Sequence, residues 1–143
     1  VTPEPPARAR HEERAQPETF RAKTLNASLT VKDIAKSLAW YRDVLGFMVR
    51  EKYEREGALR AVALRAGAVE IVIGQDDGAK GMDRVKGQGF SLRITTGQDI
   101  DALAQRIKAR GGTLASEPED MYGARSFRVK DPDGFMLVIS SER

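Results

Sequence analysis

The sequence contains no cysteine and a single histidine, His11. Without thiols there is no disulfide framework, thiolate metal site or cysteine nucleophile, and nothing points to an oxidising compartment. Past the N-terminal stretch there is no imidazole either, which removes histidine as a general base and excludes a Ser-His-Asp arrangement in the folded part. No apolar run approaches the roughly 20 residues needed to span a bilayer, and the N-terminus lacks the apolar stretch of a secretory signal. A cytoplasmic setting with no membrane partner is therefore expected. Aromatic residues are few, 6% of the chain, and none is interleaved with a basic stripe. Lys and Arg number 24 against 21 Asp and Glu, with the signs interspersed. That pattern argues against a nucleic-acid partner.

A length of 143 residues suits one domain with its own core. Four of the six prolines (Pro3, Pro5, Pro6 and Pro17) fall in the first 24 residues, among charges of both signs. This stretch is expected to be disordered, or an arm that wraps a partner subunit with Phe20 as its anchor. The domain proper then runs over 25–141.

Within it, Leu25, Ala27, Leu29 and Val31 alternate with Asn26, Ser28 and Thr30, the pattern of a half-buried strand. Asp33 is placed to cap a helix carrying Ile34, Leu38, Tyr41 and Leu45, with Gly46 as its left-handed stop. Strands are expected over 47–53, 59–65 and 69–73, giving β-α-β-β-β over 25–74. Residues 75–89 are glycine-rich and charged, a linker or mobile loop. The order then repeats over 90–141: a strand over 90–95, a helix capped by Asp99 and ended by Gly111 and Gly112, and strands over 113–117, 124–130 and 135–140. Asp33 precedes Gly46 by the same interval as Asp99 precedes Gly112, which suggests an internal duplication. The run Asp131-Pro132-Asp133-Gly134 fits a type I turn with a G1 bulge.

Two such modules, with SLAWYRDVLGF from Ser37 to Phe47 and FRVKDPDGF from Phe127 to Phe135, resemble the vicinal oxygen chelate superfamily, the glyoxalase, bleomycin-resistance and extradiol dioxygenase relatives. The resemblance covers Leu25 to Ser140. It implies an α+β fold in which two tandem modules form a curled, cavity-enclosing mixed sheet with helices on the outer face, and a homodimer. In metal-using members each module contributes two inward ligands, one early on its first strand and one on its last. Carried over by position, these fall on Asn26, Glu70, Ser91 and Val138. Of these only Glu70 is a good ligand, so no metal cofactor is expected; Zn or Fe sites ordinarily need three or four imidazole, carboxylate or thiolate groups.

Alternation tests the implied cavity independently. Pairing Val62 with Ile71 and Leu64 with Val69 gathers the large apolar residues on one face, which packs on the helices. In the second module, pairing Phe127 with Ile139 and Val129 with Leu137 does the same. The opposite faces then present Ala61, Ala63, Arg65, Glu70, Ser91, Arg93, Arg128 and Val138 to one continuous pocket. The ligand-binding candidates are Asn26, Ala63, Glu70, Ser91, Arg93, Arg128 and Val138. Glu70 is either an ion-pair partner of Arg65 or, if buried among apolar groups, a general base. One of Arg93 and Arg128 is expected to balance Glu70 and the other to meet an anionic ligand. A metal-independent small-molecule-binding protein is the first reading. The alternative is an enzyme of lyase, isomerase or dioxygenase type, with a metal or with Glu70 as base.

Overall fold

The computed structural model describes residues 20–142. The arm assignment for residues 1–19, with His11, lies outside the described residues. Residues 20–26 lead in as exposed coil. Every element expected from the sequence is present. Module 1 comprises β1 (Ala27–Val31), α1 (Ile34–Ala39), a π-helical continuation (Trp40–Leu45), β2 (Met48–Arg55), β3 (Ala58–Ala66) and β4 (Val69–Gln75). Module 2 comprises β5 (Ser91–Thr96), α2 (Ile100–Ala109), β6 (Leu114–Met121), β7 (Ala124–Lys130) and β8 (Met136–Ser141).

The strands form two separate four-stranded sheets, ordered β1-β4-β3-β2 and β5-β8-β7-β6. These are the mixed sheets of the expected α+β fold, one to each module. Strands β1 and β5 end their sheets, and no backbone ladder joins them. The modules meet instead through side chains. One continuous core draws on both, with Leu38, Tyr41, Val62, Leu64 and Ile71 from module 1 and Ile107, Phe127, Val129 and Leu137 from module 2. Burying each of these large side chains contributes about 1.5–3 kcal/mol of transfer free energy.

Both helices start as the sequence indicates. The Asp33 carboxylate accepts the Lys36 N–H at 3.2 Å, and that of Asp99 accepts the Ala102 N–H at 2.9 Å. They end differently. The left-handed residue of module 2 is Gly111, φ 91°, whereas Gly46, also at 91°, closes module 1. The equal spacing to Gly46 and Gly112 thus matches non-equivalent glycines. The wider π-helical turn consumes an additional residue, so the stop comes one position later in module 1. Gly112 is needed for another reason: a Cβ there would lie 2.6 Å from Ile107 and 2.8 Å from Val44 of the other module.

The β3–β4 ladder also differs from expectation. A tight turn at Gly67 and Ala68 pairs Val62 with Ile73 and Leu64 with Ile71, two residues along from the anticipated register. A shift of two leaves every side chain on its assigned face. The β7–β8 ladder is the anticipated one, Phe127 with Ile139 and Val129 with Leu137.

Two polar links tie the modules together. The Tyr41 hydroxyl donates to the buried Asp131 Oδ2 at 2.9 Å, and the Lys32 N–H donates to Asp133 Oδ2 at 2.7 Å. Asp131 Oδ1 accepts the N–H groups of Asp133 and Phe135. Burial still holds the Asp131 carboxyl above its ordinary range, and burial together with the Asp131 charge raises the Tyr41 phenol. In the inter-module loop, buried Asp76 accepts from Lys86 Nζ at 2.7 Å, Arg84 at 3.3 Å and the Gly78 N–H at 2.8 Å. The Lys86 bond leads in depressing the Asp76 pKa to about 2.

Candidate functional site: the open sheet faces

Each sheet has one face on the core and one turned away from it. Val62, Leu64, Ile71 and Ile73 are all at most 2% exposed on the core side, as the alternation requires. On the open face of module 1, one cross-strand row is Ser28, Val72, Ala63 and Glu51, and the next is Thr30, Gly74, Ala61 and Tyr53. Small side chains dominate both rows. Glu70 pairs across the ladder with Arg65, which pairs with Met48. Asn26 lies one residue before β1 and is exposed.

The Glu70 carboxylate has a partner that the sequence reading missed. Arg50 Nε lies 2.6 Å from Glu70 Oε1. Arg50, two residues from Met48, shares its open face by alternation, and a register irregularity between Val49 and Glu51 puts Glu51 on that face as well. The Glu70 charge in turn holds the Arg50 guanidinium above its ordinary range. Neither Arg93 nor Arg128 balances Glu70, and Arg65 makes no ion pair with it; this corrects the assignment of one of the first two to that role. In place of the apolar burial on which a Glu70 general base depends there is an ion pair to Arg50, and the Glu70 side chain itself is 24% exposed.

The open face of module 2 has a different character. One row reads Arg93, Val138, Arg128 and Ser116, across β5, β8, β7 and β6. On one side of it lie Thr95, Ser140, Ser126 and Glu119, and on the other Ser91, Met136 and Lys130. Arg93 Nη2 donates to Ser140 Oγ at 3.2 Å. Ser91, Arg93 and Arg128 are exposed, whereas Val138 is 4% and Ala63 0% exposed. A residue on an open face is hidden from water only when neighbouring side chains lie over it, as the aliphatic stems of flanking arginines do. Arg125, beside the exposed Tyr122 turn, is held by Asp101 at 2.6 Å and Asp120 at 3.2 Å.

The four positions implied for a metal do not form a ligand set. Asn26 offers a weak amide oxygen, Glu70 is bonded to Arg50, Ser91 is a poor donor and Val138 has none to give. Among the described residues, no group of three or more His, Cys, Asp or Glu side chains is placed to hold a metal ion.

A cavity of about 750 Å³ lies elsewhere, at the seam between the modules. Leu45, Phe47, Val69, Ile94, Leu103 and Ile107 wall it, with Arg65 and Arg106 also contributing. None of the seven sequence-derived binding candidates lines it. The seam cavity is thus distinct from the two sheet faces that carry those candidates.

Comparison with known proteins agrees with this fold. Residues 23–139 match the family model of the glyoxalase/bleomycin resistance protein/dioxygenase superfamily, and the chain belongs to that family. It is 28% identical over 128 residues to a "Probable lactoylglutathione lyase" of Vibrio cholerae, covering 80% of this chain and 87% of that protein. A member of the same superfamily from Sphaerobacter thermophilus superposes with a TM-score of 0.67 at 25% identity, covering 84% of this chain and 98% of that one. TioX from Micromonospora sp. ML1 shares the fold with a TM-score of 0.69 at 18% identity, over 85% of this chain and all of that one, 100%. No described helix is long and apolar enough to cross a membrane.

Proposed function

We propose that this chain is a small-molecule-binding protein of the glyoxalase/bleomycin-resistance type, which holds a ligand over the open sheet faces without a metal, in the cytoplasm. The observation that carries the reading is the side-chain set at Asn26, Glu70, Ser91 and Val138, whose one strong donor already bonds Arg50. Small and hydroxyl side chains elsewhere on the two faces leave room for a ligand. A second copy of the chain would cover these faces and the free edges of β1 and β5, since uncovered edges invite pairing. The expected assembly is a homodimer, read as twice the chain mass by light scattering at micromolar concentration.

The test uses the full chain after exhaustive chelator treatment, titrated with the apolar fluorophore N-phenyl-1-naphthylamine. Saturable binding that added zinc leaves unchanged is expected. Binding that appears only once metal is restored, or no binding, contradicts the reading. The names of relatives favour one second reading, a lactoylglutathione lyase. Turnover of the methylglyoxal–glutathione hemithioacetal, with or without added divalent metal, would establish it in place of the first.

A further inference from the structure

The two open faces differ in their unspent charge. On module 1 the acids of the face, Glu70 and Glu51, are both met by Arg50, at 2.6 and 3.6 Å. On module 2 the register sets Arg93 and Arg128 on either side of Val138 in a single row. Adjacent strands are about 4.8 Å apart, so the two backbones stand on the order of 10 Å from each other, with one strand between them. That spacing lets two long side chains converge over the strand they flank. Among the described residues neither arginine has a carboxylate within ion-pair distance; Glu119, which the register brings to the same face, pairs with Ser126 and not with either arginine. The hydroxyls of Ser140 and Ser126 line the next row, and Ser140 already receives Arg93.

Val138 occupies one of the positions that the family resemblance implies for a metal ligand. A row with no donor at its centre and a guanidinium on each side presents fixed positive charge at that place, without an ion. We propose that Arg93 and Arg128 form a two-pronged cradle for an oxyanion, so that the ligand of this protein carries a carboxylate or phosphate beside an apolar body. Each guanidinium offers a planar fork of donors suited to such a group, and the apolar Val138 floor between them keeps competing acceptors away. This inference rests on the proposed reading that the ligand lies over the open faces.

The test compares two probes with the same aromatic body, the sulfonate 8-anilinonaphthalene-1-sulfonate and the uncharged N-phenyl-1-naphthylamine. Both are titrated against the full chain and its Arg93→Gln, Arg128→Gln and double variants. Each single change is expected to weaken the sulfonate about tenfold, the scale of one hydrogen bond to a charged group, and to leave the neutral probe unaffected. Competition by benzoate and by phenyl phosphate then separates the two oxyanion sources, and displacement of the sulfonate by either supports the cradle. An Arg106→Gln variant, at the seam cavity, should bind both probes as the parent does. If it is the one that loses the sulfonate, the anion site lies at the seam and the cradle is refuted. An unchanged sulfonate affinity in the double variant also refutes the cradle, while continued binding of the neutral probe keeps the broader reading. If the parent binds neither probe, both fail together.

Discussion

The two modules share an element order, a parallel outer pair of strands and matching hairpins. Glu56-Gly57 and Tyr122-Gly123 each turn with two positive φ values, 54° and 76° in the first and 52° and 79° in the second, as type I′ hairpins require. They differ where chemistry is concerned. Module 1 carries small residues and a neutralised Glu70 on its open face, and its helix widens into a π-helical turn. Module 2 keeps a regular helix and, on its open face, two arginines that form no ion pair among the described residues. A repeated backbone frame thus leaves the face residues free to diverge, because they turn away from the core while the core-side residues pack on each other.

The sharpest way to break this picture is through the shared core. Leu64→Ala in module 1 should cost about 2–5 kcal/mol and Phe127→Ala in module 2 about 3–5 kcal/mol, since both side chains are fully buried. Because both belong to one core, either variant should still melt in a single transition. A melt in which one module unfolds well before the other would show that the modules are independent.

Next in size is the bond between the modules. Tyr41→Phe removes the hydroxyl that meets Asp131 Oδ2 and leaves a buried carboxylate oxygen short of a donor. A loss of about 1.5–3 kcal/mol is expected by urea denaturation. A change near zero would mean that the link adds nothing to the seam.

Smaller still is an asymmetry between the helices. Ser37 and Leu103 each lie four residues after their caps, yet Ser37 is fully buried and, among the described residues, its hydroxyl has no partner. Ser37→Ala should stabilise the chain by about 1 kcal/mol, from relief of that burial and from helix propensity. Destabilisation would reveal a partner for the hydroxyl.

A pH dependence is expected from the Asp76 clasp. Its folded pKa of about 2 lies below the ordinary value of about 3.9, so its contribution is complete above that ordinary value. It is lost as pH falls toward the folded value. Stability of the parent should therefore fall more steeply than that of Asp76→Asn as pH drops from about 4 to 2. Parallel curves would remove the clasp from the account.

Most of the fold was legible because its signals are local. Alternation over β1 and β7, the caps Asp33 and Asp99, and the turn at Asp131 to Gly134 each depend on a few neighbouring residues. The β3–β4 register slipped by two because alternation fixes a face and not a turn length; the two-residue turn at Gly67 and Ala68 decides the pairing. The π-helical segment escaped notice because its apolar spacing also satisfies an α-helix. At the site, the faces of Glu70, Arg93 and Arg128 followed from period two alone. Their partners did not, since the unbroken charged run Arg50, Glu51 and Lys52 shows no apolar alternation from which a face could be read, and Tyr41 meets Asp131 across 90 residues of chain.

The proposed reading has this member of the family bind its ligand without a metal at Asn26, Glu70, Ser91 and Val138, the positions that the resemblance implies for one. Its most direct test is the metal content of the purified full chain, incubated with excess zinc, nickel, manganese or iron and then dialysed against a chelator. Elemental mass spectrometry should find far less than one equivalent of any of these per chain. Retention of about one tightly held equivalent per chain, under conditions in which exposed carboxylates release theirs, would contradict the account.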